Sequence, residues 1–407
     1  MRFIASLFAL ALIAAPAFAQ SAEPTRAERA RIERILRQTP LIDGHNDLGE
    51  QLQERFGDDL SRIDLTHDTS GLTPPMHTDI PRLRRGLLGA QFWSVYVPFE
   101  LQGQASEEAV HVQIDVIRRV VAQHPETFEL ARSADDVVRI HRAGRIASMF
   151  GMEGGEAINS NLAVLREFRA EGVAYMTLCH FKTTSWCDSA TDAPQHGGLT
   201  DFGESVVREM NRIGMLVDLS HVSADTMRDA LRVAAAPVIF SHSGAFAVCA
   251  HPRNVPDDVL RLVHQNGGVV MVNFYSAYVS EAARLWSADE AAEEARQKAL
   301  HRDDPTAAAT ALAAWVTAHP APHATIAQVA DHIEHIRDVA GIDNVGIGSD
   351  FDGVETLPDG LSGVDAYPNL FAELIRRGWS DADLAKLAGG NVLRVMRAAE
   401  RYAASQR

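Results

Sequence analysis

A chain of 407 residues, 46% of them hydrophobic, carries 54 acidic against 38 basic side chains and a formal net charge of −16 with histidine neutral. That excess of negative charge makes nucleic acid and anionic membrane poor partners, and the length admits one large domain or two small ones. Three cysteines, Cys179, Cys187 and Cys249, cannot build a disulfide scaffold; export would permit one bridge, and the odd count leaves at least one thiol free.

Met1 to Ala19 joins a single positive residue, Arg2, to an apolar stretch from Phe3 to Ala15 and the small-residue ending Ala17-Phe18-Ala19 before Gln20. This predicts a secretory signal peptide over 1–19 and an exported protein, periplasmic or secreted. No cysteine follows the cleavage point, no later stretch has the length and apolarity of a membrane span, and the C-terminal Arg401–Arg407 is polar. The mature protein is therefore expected to lack an integral membrane segment, and 20–407 to form a single catalytic domain.

From Thr25 the chain reads Thr-Arg-Ala-Glu, a capping box, with Ile32, Ile35 and Leu36 at helical spacing behind it and Pro40 to stop it. This predicts an N-terminal helix ahead of the first strand. Leu41 to Asp47 is an apolar run ending in a histidine and a carboxylate two residues apart, and the period of a strand aims His45 and Asp47 to the same side. Seven further strands are predicted over 89–97, 145–151, 172–180, 214–221, 237–242, 268–275 and 345–350. Helices are predicted between most of them, among them 107–123, 162–170, 202–213, 224–233, 256–265 and 325–339. Several of the strand runs are apolar throughout, as strands buried on both faces are. The alternation predicts an α/β protein, a parallel (β/α)8 TIM barrel. A doubly wound open sheet is the alternative, but its edges stand too far apart to gather residues from the first, third, fifth, sixth and eighth strands.

The polar residues that end these runs are His45 and Asp47 on the first, Glu153 on the third, His180 on the fourth, His221 on the fifth, His242 on the sixth and Asp350 on the eighth. Any one of them could be a hydrogen-bonded structural group. Together at one barrel mouth they would suffer desolvation and like-charge repulsion unless a cation neutralised them. Imidazoles and carboxylates without a nearby set of thiolates suit zinc or a similar borderline divalent ion, manganese or cobalt included. The ligands exceed what one four-coordinate ion needs, so the expectation is two metals sharing a bridging carboxylate and a bridging water, hydroxide near neutral pH.

Blocks of the chain, in order, resemble the membrane (renal) dipeptidase family of the metal-dependent amidohydrolase superfamily. They are Ile-Asp-Gly-His-Asn-Asp-Leu at 42–48, Gly-Ala-Gln-Phe-Trp-Ser-Val-Tyr at 89–96, Glu-Gly-Gly from Glu153 and His-Val-Ser from His221. They continue with Phe-Ser-His-Ser at 240–243, Arg-Asn-Val-Pro-Asp-Asp at 253–258 and Asp-Phe-Asp-Gly at 350–353. The resemblance runs from about Pro40 to Tyr402. It implies a dipeptidase with two Zn2+ per chain: His45, Asp47 and Glu153 hold one, and Glu153 bridges with a hydroxide to a second held by His221 and His242. The hydroxide would attack the peptide bond of a dipeptide with an L-residue at its N-terminal position and an L- or D-residue at its C-terminal position. By the same resemblance Asp350 is the proton shuttle, His180 polarises the carbonyl, Arg253 clamps the substrate's C-terminal carboxylate, and the protein is a homodimer. Read from its residues alone, Arg253 could instead order its loop through an ion pair with Asp257 or Asp258.

The chain also departs from the family pattern. Glu50 stands where mammalian relatives carry a tryptophan of the side-chain pocket, while Tyr278 keeps the second aromatic position; the acid should shift preference toward small polar or basic N-terminal residues. Equal turnover of Leu-Ala and Lys-Ala would count against that. Glu281 replaces the disulfide partner of Cys249, so that bridge should be absent. The segment 281–324, with Trp286, Trp315 and a break at Asp303-Asp304-Pro305, predicts two helices inserted after the seventh strand. They form either a surface excursion or a lid over the mouth, where strand-to-helix insertions emerge. Three functional classes stand: a zinc dipeptidase, a related hydrolase of β-lactam or other acylated amino-acid amides, and a non-catalytic binder, which would have no need of a proton shuttle.

Overall fold

Thr25 opens the first helix, Arg26–Gln38: its hydroxyl accepts from the Glu28 amide while the Glu28 carboxylate accepts from the Thr25 amide. The helix buries Ile32, Ile35 and Leu36 and ends as the chain turns extended at Thr39. The structure, a computed structural model, describes residues 23–101 and 103–406, so the expected signal peptide lies outside the described residues.

Nine strands follow among the described residues: β1 (Leu41–Asn46), β2 (Leu88–Tyr96), β3 (Phe128–Leu130), β4 (Ile146–Glu153), β5 (Val173–Thr177), β6 (Leu216–Asp218), β7 (Ile239–Phe240), β8 (Val269–Val272) and β9 (Val345–Ile347). Their order is β2-β1-β9-β8-β7-β6-β5-β4, and a parallel β2–β4 ladder from Ala90↔Ala147 to Tyr96↔Glu153 closes the ring. This is a (β/α)8 barrel, in agreement with the pattern of apolar runs. β3, which the sequence reading does not assign, pairs only with the start of β4 and lies outside the ring. Every residue of β1, β4 and β8 is buried, as for strands enclosed on both faces.

The hydrogen-bonded ladders are shorter than the apolar runs. The stretch 214–221 pairs only over Leu216–Asp218, and 237–242 only over Ile239–Phe240. The chain leaves the ladder before its polar residue arrives: His221 (φ 68°) and Asp350 (φ 67°) are left-handed, a conformation that costs a non-glycine residue about 1 kcal/mol or more. That turn is what directs their side chains into the mouth instead of along a strand face.

Two glycines let the ring close tightly. A Cβ on Gly348 would lie 1.8 Å from the Ser241 carbonyl oxygen, and one on Gly44 would lie 2.3 Å from the same atom. The obstacle is backbone and cannot rotate away. Gly348→Ala is therefore expected to destabilise the fold by about 3 kcal/mol, read as a lower denaturant midpoint at unchanged slope. An unmoved midpoint would mean that β7 and β9 can spread apart.

After β8 stand two helices, Glu281–Leu300 and Pro305–Ala318. Their buried residues are only Ala283, Gln297 and Ala308, and they are pinned to each other by Trp286 Nε1 donating to the His319 carbonyl at 2.7 Å and by the Trp286–Trp315 ring contact at 5.9 Å. All three cysteines are buried and free; the Glu281 carboxylate near Cys249 accepts from the Ala250 amide at 3.3 Å and pairs with Arg284.

Candidate metal centre and substrate pocket

The predicted metal ligands, with His180 and Asp350, sit at the C-terminal ends of barrel strands, whereas Glu50 and Tyr278 lie on the helices Leu48–Phe56 and Ser276–Val279 and Arg253 on the loop after β7. His45 lies within β1, and Asp47 begins the next helix without using its side chain as a cap, which leaves the carboxylate for the mouth. Glu153 is the last residue of β4; His180, His221, His242 and Asp350 follow β5, β6, β7 and β9 within a few residues. Closure of the ring brings them together.

Glu153 is the hinge of the arrangement. Its Oε2 lies 3.3 Å from His45 Nε2, while its Oε1 lies 3.0 Å from His221 Nε2, 3.4 Å from His242 Nε2 and 3.7 Å from His180 Nε2. The His45 nitrogen is also 3.3 Å from Asp47 Oδ1. Three sets of donor atoms converge within 4.8 Å: His45, Glu153 and His242; Glu153, His180 and His221; His45, Asp47 and Asp350. His180 and Asp350 thus stand as close to the donor clusters as the residues first expected to be ligands.

The groups behind the imidazoles set their tautomers. The Tyr175 hydroxyl donates to the Gly44 carbonyl at 3.1 Å, so at 2.8 Å it accepts from His45 Nδ1–H. The Ser241 hydroxyl donates to Asp218 Oδ2 at 2.6 Å and accepts from His242 Nδ1–H at 2.8 Å. His242 is left with a bare Nε2 lone pair aimed at the centre, and His45 presents its Nε2 to the same centre and takes the form in which histidine binds metal once that nitrogen gives up its proton. His242 Nε2 faces His221 Nε2 at 2.8 Å, and His45 Nε2, Asp47 Oδ2 and His221 Nδ1 are buried without hydrogen-bond partners. Bare nitrogen lone pairs and carboxylate oxygens crowded together in this way are satisfied by a divalent cation, and a set of imidazoles and carboxylates without a thiol fits zinc.

The electrostatics follow from burial. It pushes the His180 ring down to about 4 and the His221 and His242 rings well below their ordinary range. Burial also opposes charge on His45, but Tyr175, Glu153 and Asp47 around it carry its pKa well up. Asp350 is lifted to about 7 by burial, with Asp47 and Glu153 adding to the effect and His45 opposing it. Glu50 is pushed up to about 9 by burial and by Asp47, Glu153 and Glu54.

A cavity of about 390 Å³ opens over these residues and is lined by Asp47, Glu50, Glu153, His180, Tyr278 and Asp350. Arg253 does not line it. The guanidinium is fully buried, 5.3 Å from the centre of the Tyr278 ring, and donates to the His242 carbonyl at 3.2 Å and to Ser243 Oγ at 3.4 Å. The alternative ion pair does not form, since Asp257 is taken by His335 at 2.7 Å and Asp258 by Arg228 at 2.8 Å.

Several groups at the site escape the sequence reading. Asn273 donates to Asp350 Oδ2 at 2.6 Å; an asparagine just past an apolar run was the available signal. Tyr175 gave none, because an aromatic inside a strand reads as core. Tyr96, Phe181, His251 and Tyr275 also line the cavity, and Ser287 brings the inserted helices to its edge. Tyr175→Phe is expected to weaken metal binding about 10- to 100-fold by freeing the His45 tautomer, measurable against a competing chelator. Unchanged affinity would leave Tyr175 as packing only.

The model of the membrane dipeptidase family, peptidase family M19, matches residues 29–407. Dipeptidase 3 of Rattus norvegicus is 40% identical over 371 residues, covering 90% of this chain and 66% of its own length. Dipeptidase 3 of Macaca fascicularis is 39% identical over 378 residues, covering 92% of this chain and 68% of its own length. The chain thus spans about two thirds of the length of these relatives. Among solved structures, that of the probable dipeptidase PvdM from Pseudomonas aeruginosa matches with a TM-score of 0.77 at 25% identity, over 93% of this chain and 99% of that one.

Proposed function

The chain belongs to the membrane dipeptidase family, and on that premise we propose that it is an exported zinc dipeptidase, cleaving the peptide bond of dipeptides with an L-residue first and an L- or D-residue second. The observation that carries this reading is Glu153, whose two oxygens face different imidazoles, as a carboxylate shared by two cations must. His45, Asp47 and Glu153 would hold one zinc, and Glu153, His221 and His242 the other. When bound, the ions supply Lewis-acid polarisation of the scissile carbonyl and a water acidic enough to attack it at neutral pH.

The chain's own groups do the rest. Asp350, held by Asn273 at its Oδ2, takes the proton of the attacking water and returns it to the departing amine nitrogen. His180, neutral at pH 7 because burial depresses its pKa, donates an N–H to the carbonyl oxygen as negative charge builds there. Arg253 places a positive charge behind Tyr278 for the substrate's C-terminal carboxylate, and Glu50 borders the space left for the N-terminal residue. The family resemblance adds the expectation of a homodimer.

The test is metal content by mass spectrometry on the purified mature protein, with hydrolysis of L-Xaa-L-Ala and L-Xaa-D-Ala dipeptides. The expected result is about two zinc ions per chain and turnover of both series. Metal without dipeptide turnover would instead favour β-lactam or other acylated amino-acid amides, and a metal-free protein would undo the reading of the strand ends.

A further inference from the structure

Beside the reaction cavity lies a second hollow of about 350 Å³, whose lining includes Glu50, Glu54, His77, Asp352 and Glu355. The two share Glu50, Gly353, Val354 and Glu355, so these residues form the threshold between them. No lysine or arginine lines either cavity. Arg55, on the same helix as Glu50 and Glu54, stands at the rim, where it donates to two lining residues, Gln51 Oε1 at 3.3 Å and the Pro74 carbonyl at 2.7 Å, and among the described residues it forms no ion pair with the carboxylates of the hollow.

Four carboxylates around one small space would ordinarily be a solvated acidic surface. Asp352 sets this one apart. Its side chain is 1% exposed; Oδ1 accepts from the His77 amide at 2.7 Å, whereas Oδ2, near the Thr78 hydroxyl, has no hydrogen-bond partner. A buried carboxylate oxygen without a donor, in a hollow whose other acids meet no basic side chain of the lining, calls for a cation from outside the chain.

The barrel's topology says which part of a dipeptide arrives there. Glu50 follows β1 and Arg253 follows β7, three places apart in the eight-membered ring, so they stand on nearly opposite sides of the mouth. A zwitterionic substrate that directs its carboxylate toward Arg253 turns its N-terminal residue toward Glu50. We propose that the hollow receives the cationic side chain of that residue, making lysyl, ornithyl and arginyl dipeptides the preferred substrate class, with Glu50, Glu54, Asp352 and Glu355 as the specificity determinants. This rests on the dipeptidase reading above. Its volume of about 350 Å³ leaves room for an alkyl chain, for which Pro74, Pro75 and Val354 supply apolar lining while the acidic groups are there to meet the charged end.

The test compares kcat/KM for L-Lys-L-Ala with that for L-norleucyl-L-Ala, which has the same length without the ammonium group, in the wild type and in Glu50→Gln and Glu355→Gln, at low and high salt. The lysyl substrate is expected to lead at least tenfold, with the ratio shrinking in each variant and at high ionic strength. Equal kcat/KM for the two, with both cleaved, overturns the proposal and leaves the dipeptidase reading standing. A ratio that survives in both variants overturns the assignment to these residues, and failure to cleave any dipeptide overturns both readings. A third bound metal ion lost in Glu355→Gln would likewise overturn it, since the hollow would then be a metal site.

Discussion

Asp350→Asn is expected to lower kcat by about 1000-fold while metal content and KM stay near their wild-type values, because the amide keeps the shape of the carboxylate and cannot carry a proton. The metal count is what gives the experiment its force. Asp350 belongs to a donor set with His45 and Asp47, so a ligand role and a proton-shuttle role are both compatible with its position. As a ligand, its replacement by Asn would release metal and lower activity together; as a shuttle, it would lower activity alone. The pH profile separates them again. The shuttle must start ionised, so the wild-type rate falls as pH drops through the Asp350 pKa of the metal-loaded enzyme, which bound cations hold below the value of about 7 that burial and the neighbouring carboxylates give it without metal. That acid limb should vanish in the variant. Activity within tenfold of wild type would remove Asp350 from the chemistry.

The barrel was legible because parallel strands buried on both faces leave continuous apolar runs, and a polar residue closes each run at the strand end or within a few residues of it. His45, Glu153 and Asp350 could be read in this way before their distances were known. The limits of the ladders were not legible: β7 pairs over only two residues, and the left-handed turns at His221 and Asp350 follow from the need to face the mouth, which no local propensity encodes. Groups that act through others were hidden too. Tyr175 orients His45 across 130 positions, and Asp43 receives the Ser349 amide and hydroxyl and the Tyr367 hydroxyl to fix the turn that presents Asp350. The acidic hollow joins Glu50 and Glu54 to Asp352 and Glu355, residues brought together only because β1 and β9 are neighbours in the ring.

Removal of metal should have the broadest effect on the molecule. A chelator is expected to abolish turnover by about 1000-fold or more, and zinc to restore it, since no chain group alone can make water a sufficient nucleophile at pH 7. The metal-free protein carries protons that must leave when zinc enters. Burial and crowding lift Asp350 to about 7 and Glu50 to about 9, and the surrounding negative groups raise His45 well above its ordinary value. Zinc loading near pH 7 should therefore release protons, and affinity should weaken as pH falls, because protons then compete for His45 and the carboxylates. Calorimetric titration of zinc in two buffers of different ionisation enthalpy counts the protons directly; the expected number is about one or more per chain, and identical apparent enthalpies would mean that the site is already deprotonated. Stability follows the same linkage. Zinc at about 1000 times its dissociation constant adds about 4 kcal/mol per site to the folded state, so chelation should lower the unfolding temperature as well as the activity. An unfolding temperature indifferent to chelator, with turnover intact, would place the catalytic power in the side chains and leave the converging imidazoles without a cation to explain them.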